Sequence, residues 1–466
     1  MLLDHLLTLA GFLLAVVLVV RVLGERRQPG GIVAWLLAIV LVPWLGVPLY
    51  LVFGGRKLHQ KIREKGPLYD TDADSGFDAE NVMTGGPGMV GPGMPPPQTG
   101  NRVDLHFSGE TAYARVMRMF GDARETIHVT TFILGHDEVG RAVIEALARR
   151  AREGVKVRLL LDGLGCIRTS RRFSDPLRRA GGQVGHFMPV LPLQRKWSAN
   201  LRNHRKIVVV DHVTAMVGGM NLATDFMGPT PREGRFLDSA VFVEGPIVAD
   251  IESVFFSDWN YATDERLQLP PHAHTVARQR TVGDTEAVST LQIVASGPDV
   301  PVDTFPDTLL SEVMESRERI WLITPYFIPD DAFLRLLAVQ ARAGRDVRII
   351  VPLRSNHRIA DFARGPALRD LVSAGARVYA YPKGMVHTKA MVFDHRLAIT
   401  GTPNLDMRSL YLNFEVALFH YTRPEIEKVA AWAAWLQAQS EQLTGKRPAP
   451  LRDWTERLCQ IFSPLL

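Results

Sequence analysis

The hydrophobic pattern divides the chain into unlike parts. Residues 6–23 read LLTLAGFLLAVVLVVRVL, an apolar run with one charge, Arg21, close to its end. After the short loop GERRQPGG a second run, IVAWLLAIVLVPWLGVPLYLVF, occupies 32–53. Helical runs of this length can span a bilayer, and so short a loop makes them a hairpin. The leading residues offer Asp4 and His5 in place of a basic cluster, and no small-residue cleavage site precedes the second run, which argues against a signal peptide. Arg56, Lys57, Lys61, Arg63 and Lys65 crowd the far flank of the second run, against Arg26 and Arg27 in the loop. The positive-inside rule then places both ends and the rest of the chain in the cytoplasm. Pattern disappears from about Gly66 to Gly100, where TGGPGMVGPGMPPPQTG reads as a linker.

Beyond the linker the pattern occurs twice. GDARETIHVTTFIL (121–134) matches MESRERIWLITPYFI (314–328), a charged helix end followed by a strand. GRAVIEALARRAREGVKVRLLLD (140–162) matches DAFLRLLAVQARAGRDVRIIVP (331–352): apolar positions at helical spacing, a closing glycine, then a β-branched run typical of a buried strand. DPLRRAGGQVGHF (175–187) matches PALRDLVSAGARVYAY (366–381) in the same way. The fold predicted is α/β with two similar halves. Expected boundaries are a transmembrane hairpin over 1–58, a linker over 59–101, a first half over 102–265, a connector over 266–290 and a second half with C-terminal helices over 291–466.

Each series ends on H-x-K-x4-D: NHRKIVVVD at 203–211 and VHTKAMVFD at 386–394. His and Lys two apart on a strand share one face. One such match in a chain this long is weak, whereas two at matching points of a repeat are not. Imidazole can act as nucleophile or proton carrier near neutrality, and lysine stabilises the oxygens of a phosphodiester as phosphorus becomes five-coordinate. Two histidines therefore suit two-step phosphoryl transfer, one attacking and the other moving protons, with no metal or other cofactor expected.

The net charge of +5 favours anionic partners without choosing among nucleic acid, lipid and phosphorylated small molecules. Arg and Lys are dense from Arg141 to Lys206, which fits either a solvated basic face or an anionic-lipid patch. Cys166 and Cys459 lack metal or disulfide-framework spacing and read as packing residues. HAH at 272–274 reads as an ordinary loop, and the tryptophans of EIEKVAAWAAWLQAQSEQL as packing positions on a helix.

The motifs, the hairpin and the phrases TPYFIPDD, GTPNLDMRSLYLNFEVALF and FSPLL resemble the phospholipase D superfamily and, within it, the bacterial cardiolipin synthases. The resemblance covers nearly the whole chain. It implies two phospholipase D-like α/β sandwich halves related by a pseudo-twofold, sharing one active site. It implies catalytic roles for His204, Lys206, Asp211, His387, Lys389 and Asp394, phosphate-binding roles for Asn221 and Asn404, and histidine-orienting roles across the pseudo-twofold for Asp238 and Glu415. The reaction implied is phosphatidyl transfer between two phosphatidylglycerol molecules through a covalent phosphatidyl-histidine, with His204 attacking and His387 as acid and base. The partners implied are membrane phospholipids and an anionic membrane surface, with no nucleic acid, at a bacterial inner membrane. Where relatives commonly read WRD this chain has Phe236, Leu237 and Asp238, and Pro403 stands where a small residue is usual, so headgroup choice stays open. Two alternatives also stay open: a membrane phospholipase hydrolase using water as acceptor, and a nucleic-acid phosphodiesterase of the same superfamily.

Overall fold

The computed structural model describes residues 94–169, 171–190, 196–198, 200–270, 289–300 and 303–461, with 14, 16–22, 29–44, 46–47, 50 and 64–68 towards the N-terminus. The His272–His274 loop and most of the expected connector lie outside these residues. The chain forms two compact units, one of residues 1–66 and 190–201, the other of residues 67–189 and 202–466.

In the smaller unit, α1 spans Pro29–Leu41, and Leu18, Val22, Ile39 and Tyr50 bury one another. The two apolar runs of the sequence therefore meet. Much of both runs lies outside the described residues, and no helix among the described residues is long and apolar enough to cross a membrane.

The larger unit carries the repeat. Its first half runs β1 (Gln98–His106), α2 (Gly109–Asp122), β2 (Thr126–Thr131), α3 (Glu138–Arg152), β3 (Lys156–Asp162), α4 (Asp175–Arg179), β4 (Gln183–Phe187), β5 (Ile207–Val210), β6 (Thr214–Gly218), β7 (Ala240–Glu244) and α5 (Ile247–Thr263). The second runs β8 (Ser289–Ser296), α6 (Thr304–Glu315), β9 (Arg319–Ile323), β10 (Phe327–Ile328), α7 (Asp331–Arg342), β11 (Asp346–Pro352), α8 (Arg358–Ser373), β12 (Arg377–Tyr381), β13 (Ala390–Phe393), β14 (Leu397–Gly401), β15 (Leu405–Asp406), α9 (Met407–Tyr411), β16 (Glu415–His420), α10 (Arg423–Ala438), β17 (Glu441–Gln442) and α11 (Pro450–Gln460).

One fifteen-stranded sheet holds both halves, in the order β17-β12-β11-β9-β13-β14-β16-β8-β1-β7-β6-β5-β2-β3-β4. Read outward from the β8–β1 seam, β16, β14, β13, β9, β11 and β12 mirror β7, β6, β5, β2, β3 and β4. The seam is antiparallel, with Thr99 opposite Thr290 and a register irregularity before Asn101. Gln98 to Gly100, still Gly/Pro-linker in composition, thus already belong to the sheet.

Helices cover both faces, so the central strands are apolar throughout. In β5, Val208 and Val210 pack with α2 and α3, while Ile207 and Val209 pack with α5. In β13, Met391 and Phe393 belong to the core under α7 and α8, and Ala390 and Val392 to the core under α10. Side-chain caps fix the helix starts: Asp137 accepts from the Gly140 N–H at the head of α3, and Asp330 from the Phe333 N–H at the head of α7. Gly154 and Gly344, at φ +92° and +84°, turn the chain out of α3 and α7 at matching points of the repeat.

Candidate active site

His204 and His387 stand in the extended segments just before β5 and β13, not within the strands the apolar pattern suggests. The reason is a crossing of the halves. Asn203 bridges Phe414 and the His204 N–H donates to the Phe414 carbonyl at 2.9 Å; Val386 bridges Leu237 and the His387 N–H donates to the Leu237 carbonyl at 2.7 Å. Each histidine segment is thereby held against the strand entry of the opposite half before its own strand begins.

The acids cross in the same sense. His204 Nδ1 donates to Glu415, 2.9 Å from Oε2 and 3.0 Å from Oε1, and His387 Nδ1 donates to Asp238 Oδ2 at 2.7 Å. Both carboxylates are fully buried. Holding Nδ1–H fixes the tautomer and makes Nε2 the reactive nitrogen. Thr402 Oγ1 donates to Glu415 Oε2 at 2.5 Å and Asn413 Nδ2 to Oε1 at 3.4 Å, so Glu415 has acceptor sites filled from its own half as well.

Lys206 Nζ donates to the His204 carbonyl at 2.6 Å and lies 5.6 Å from the centre of the Phe132 ring. Lys389 Nζ lies against the His387 ring, 2.6 Å from Nδ1 and 3.1 Å from Nε2, and donates to the His387 carbonyl. Phe132 meets His204 edge-on at 5.0 Å; Phe226 does the same to His387, with Phe236 stacked at 6.0 Å. Phe236, in the departure from WRD, thus lies against a site histidine.

Burial dominates the electrostatics. It pushes the Lys206 ammonium down to about 7 against the pull of Glu415, and Lys389 down to about 8 against Asp238. Asp238 is raised to about 6 by burial, against Lys389. Burial raises Glu415 too, but His204 and Lys206 outweigh it and hold that carboxyl below its usual range. His204 is lowered by burial more than Glu415 restores it, and His387 is lowered well below its usual value by burial and then by Lys389 and Lys206. Lysines of both halves act on both histidines, so the two motifs form one electrostatic site whose imidazoles are neutral at neutral pH.

Asn221 and Asn404 are buried as well. Asn221 Oδ1 accepts from the Ile133 N–H at 3.0 Å, while Asn404 Oδ1 has no hydrogen-bond partner among the described residues. Asp211 and Asp394 are elsewhere. They close the far ends of β5 and β13, roughly 16 Å from the lysines at about 3.3 Å per residue. Asp211 accepts from the N–H groups of Arg124, Glu125 and Thr126, and Asp394 from those of Arg317, Glu318 and Arg319. The four-residue spacer is a whole buried strand, so it carries the aspartate away from the histidine.

Arg205, the intervening residue of the first motif, carried no signal of its own in the sequence. It points away from the imidazole into a fully buried ion cluster with Asp258 at 2.7 Å and Asp299 at 3.1 Å, and donates to the Glu415 carbonyl. Asp258 is on α5 and Asp299 follows β8, so this cluster ties the two halves together directly behind the site. Arg202 and Arg205, part of the basic stretch, are therefore core residues. Thr402 and Asn413 were also missed; lying two positions from Asn404 and Glu415, they carried no motif signal. Cys166 packs as expected, its thiol donating to the Phe132 carbonyl at 3.2 Å.

Two copies of one α/β unit, each lending an acid to the other's histidine, define a phospholipase D-like protein. Residues 116–259 and 309–437 match the family described as cardiolipin synthase, PLD-like domain, and residues 13–55 match the one described as phospholipase D-nuclease N-terminal. Curated relatives include the cardiolipin synthase of Alkalihalophilus pseudofirmus, 32% identical over 95% of this chain and 90% of that one. The major cardiolipin synthase of Bacillus subtilis is 32% identical, over 88% of this chain and 87% of its own. The fold also resembles the crystal structure of phosphatidylserine synthase from Haemophilus influenzae, with a TM-score of 0.60 at 14% identity, over 78% of this chain and 95% of that one. The chain belongs to the cardiolipin synthase family.

Proposed function

We propose that the chain is a phosphatidyltransferase that joins two phosphatidylglycerol molecules into cardiolipin and releases glycerol. The observation that carries this reading is the crossed pairing of His204 with Glu415 and His387 with Asp238, which presents two neutral imidazoles beside two lysines in a buried site. His204 Nε2 attacks phosphorus of the first lipid. The P–O bond to its glycerol headgroup breaks, and His387 delivers the proton that glycerol needs. The phosphatidyl group is then held on His204. His387 takes the proton of the second lipid's terminal hydroxyl, whose oxygen attacks phosphorus and frees His204.

His387 must hold a proton for the first step although burial and the lysines depress it. The phosphodiester supplies the remedy: its negative charge offsets Lys206 and Lys389 and raises the proton affinity of His387 as substrate arrives. The same lysines, with the side-chain amide nitrogens of Asn221 and Asn404, bind the phosphoryl oxygens. Asp211 and Asp394 act by fixing the strand ends. Transfer rather than hydrolysis requires a dry site and a second lipid close by.

The smaller unit supports a reading of membrane attachment. Val17, Val20, Leu41 and Trp44 turn outward at 60%, 66%, 70% and 90% exposure while the two runs pack on each other, the arrangement a lipid solvent favours. We read residues 1–58 as a hairpin in a bacterial inner membrane, with the catalytic unit on the cytoplasmic side.

The test is a lipid assay on the full chain with labelled phosphatidylglycerol, alone and with phosphatidylethanolamine, beside His204→Ala and His387→Ala. Cardiolipin and free glycerol from the wild type, absent in both variants, support the proposal. Phosphatidic acid as the main product makes water the acceptor and replaces it.

A further inference from the structure

Helix α11 is amphipathic the wrong way round. Glu456, 1% exposed, faces α8, where Arg369 holds it at 2.5 Å; Asp453 meets the same guanidinium at 3.1 Å. Gly365 of α8 makes room for this contact, since a Cβ there would lie 2.6 Å from the Glu456 carboxyl. The inward face is thus acidic and pinned. The outward face carries Leu451, Trp454, Leu458 and Ile461, exposed by 78%, 63%, 41% and 70%. Their spacing of three, four and three residues sets them in one stripe. A helix that hides carboxylates and shows large apolar side chains is built for a second apolar partner.

Beside the stripe, α8 and α11 border a groove of about 1080 Å³ lined by Arg354, Arg358, Arg369, Lys446 and Arg452, with Asp361 and Glu456 as its acids. Arg354, Arg358, Lys446 and Arg452 are exposed, and Arg457 adds another basic side chain on the solvent side of α11. An apolar stripe rimmed by arginine and lysine matches the interface of an anionic bilayer, with acyl chains for the stripe and headgroup phosphates for the rim. A second copy of the chain fits worse, because a twofold pairing of this face sets its basic rim against itself.

We propose that α11 is a membrane foot: its Leu451–Trp454–Leu458–Ile461 stripe enters the headgroup boundary of an anionic bilayer and the adjoining groove seats lipid phosphate. The surface depends on its own residues alone, whichever acceptor the histidines use.

The experiment reads Trp454 directly and needs no turnover. The full chain is reconstituted in phosphatidylglycerol vesicles whose acyl chains are brominated at a shallow or a deep position, and the Trp454 fluorescence is taken as wild type minus Trp454→Phe. Shallow bromines should quench this component about twofold and deep ones far less, as a foot lying about 5–10 Å into the boundary requires. Replacing phosphatidylglycerol by phosphatidylcholine, or introducing Arg358→Glu with Lys446→Glu, should reduce the quenching about threefold. A Trp454 component untouched at either depth overturns the proposal. So does a stripe that is protected instead by self-association, seen as a dimer in detergent that Leu451→Ser with Leu458→Ser converts to monomer. Loss of cardiolipin synthesis with quenching intact would count against the reaction proposed above and not against the foot.

Discussion

Lys206 and Lys389 show how far burial sets chemistry at single residues. Both are charged only below about 7 and about 8, so the field that receives a phosphodiester weakens as pH rises. We expect kcat/KM for phosphatidylglycerol to fall from pH 7 to pH 9 as the lysines of the free protein lose their protons. Stability should move the other way. The unfolded chain holds the Lys206 proton up to about 10.5 and the native one only to about 7, so between these values the unfolded state binds more protons and the native state gains stability with rising pH. Thermal melts across that window should therefore rise while activity falls, and Lys206→Met should flatten the rise. The orienting acids give a second expectation. Glu415→Gln keeps the shape but removes the charge that fixes the His204 tautomer, and should lower kcat by about 10²–10⁴-fold with little change in KM, read from initial rates in mixed micelles.

At the level of elements, the strand between lysine and aspartate divides each motif into two jobs. The near end presents the imidazole and ammonium; the far end closes a turn at φ +53° and +51° and gathers three successive N–H groups. Asp394→Ala removes that acceptor and should cost about 1–3 kcal/mol, visible as a lower urea midpoint, because the donors at the head of β9 lose their partner. Turnover per folded molecule should stay near wild type. A loss of kcat as large as that of Glu415→Gln would instead place Asp394 in the chemistry.

For the whole molecule, the seam decides whether a site exists. Each histidine takes its acid from the opposite half, and Arg205 joins Asp258 of the first half to Asp299 of the second. Arg205→Met leaves two buried carboxylates without their shared cation, which should cost about 3–5 kcal/mol in equilibrium unfolding and loosen both histidine segments together. If the variant melts like the wild type, the cluster does not hold the halves.

Much was legible without coordinates. The repeat and the paired motifs could be read because equal spacing of chemically demanding residues survives in one dimension, whereas Asp238 and Glu415, 34 and 28 residues after their histidines, were implied by the family resemblance. Apolar period alone also separated strands from helices, since burial on two faces leaves a β-branched run and burial on one leaves a stripe. What it could not show was direction and partner. His204 precedes its strand because a backbone bridge from the other half holds it there. Arg205 looked like one more surface charge, yet contacts 53 and 94 residues away bury it. The resemblance implies a catalytic role for Asp394, and only the fold shows that a buried strand separates it from the histidine. Which side chains are able to carry charge or a proton is written in the chain, because side-chain chemistry is local. Which of them meet is a property of the fold, because burial and pairing depend on how the two halves close on each other.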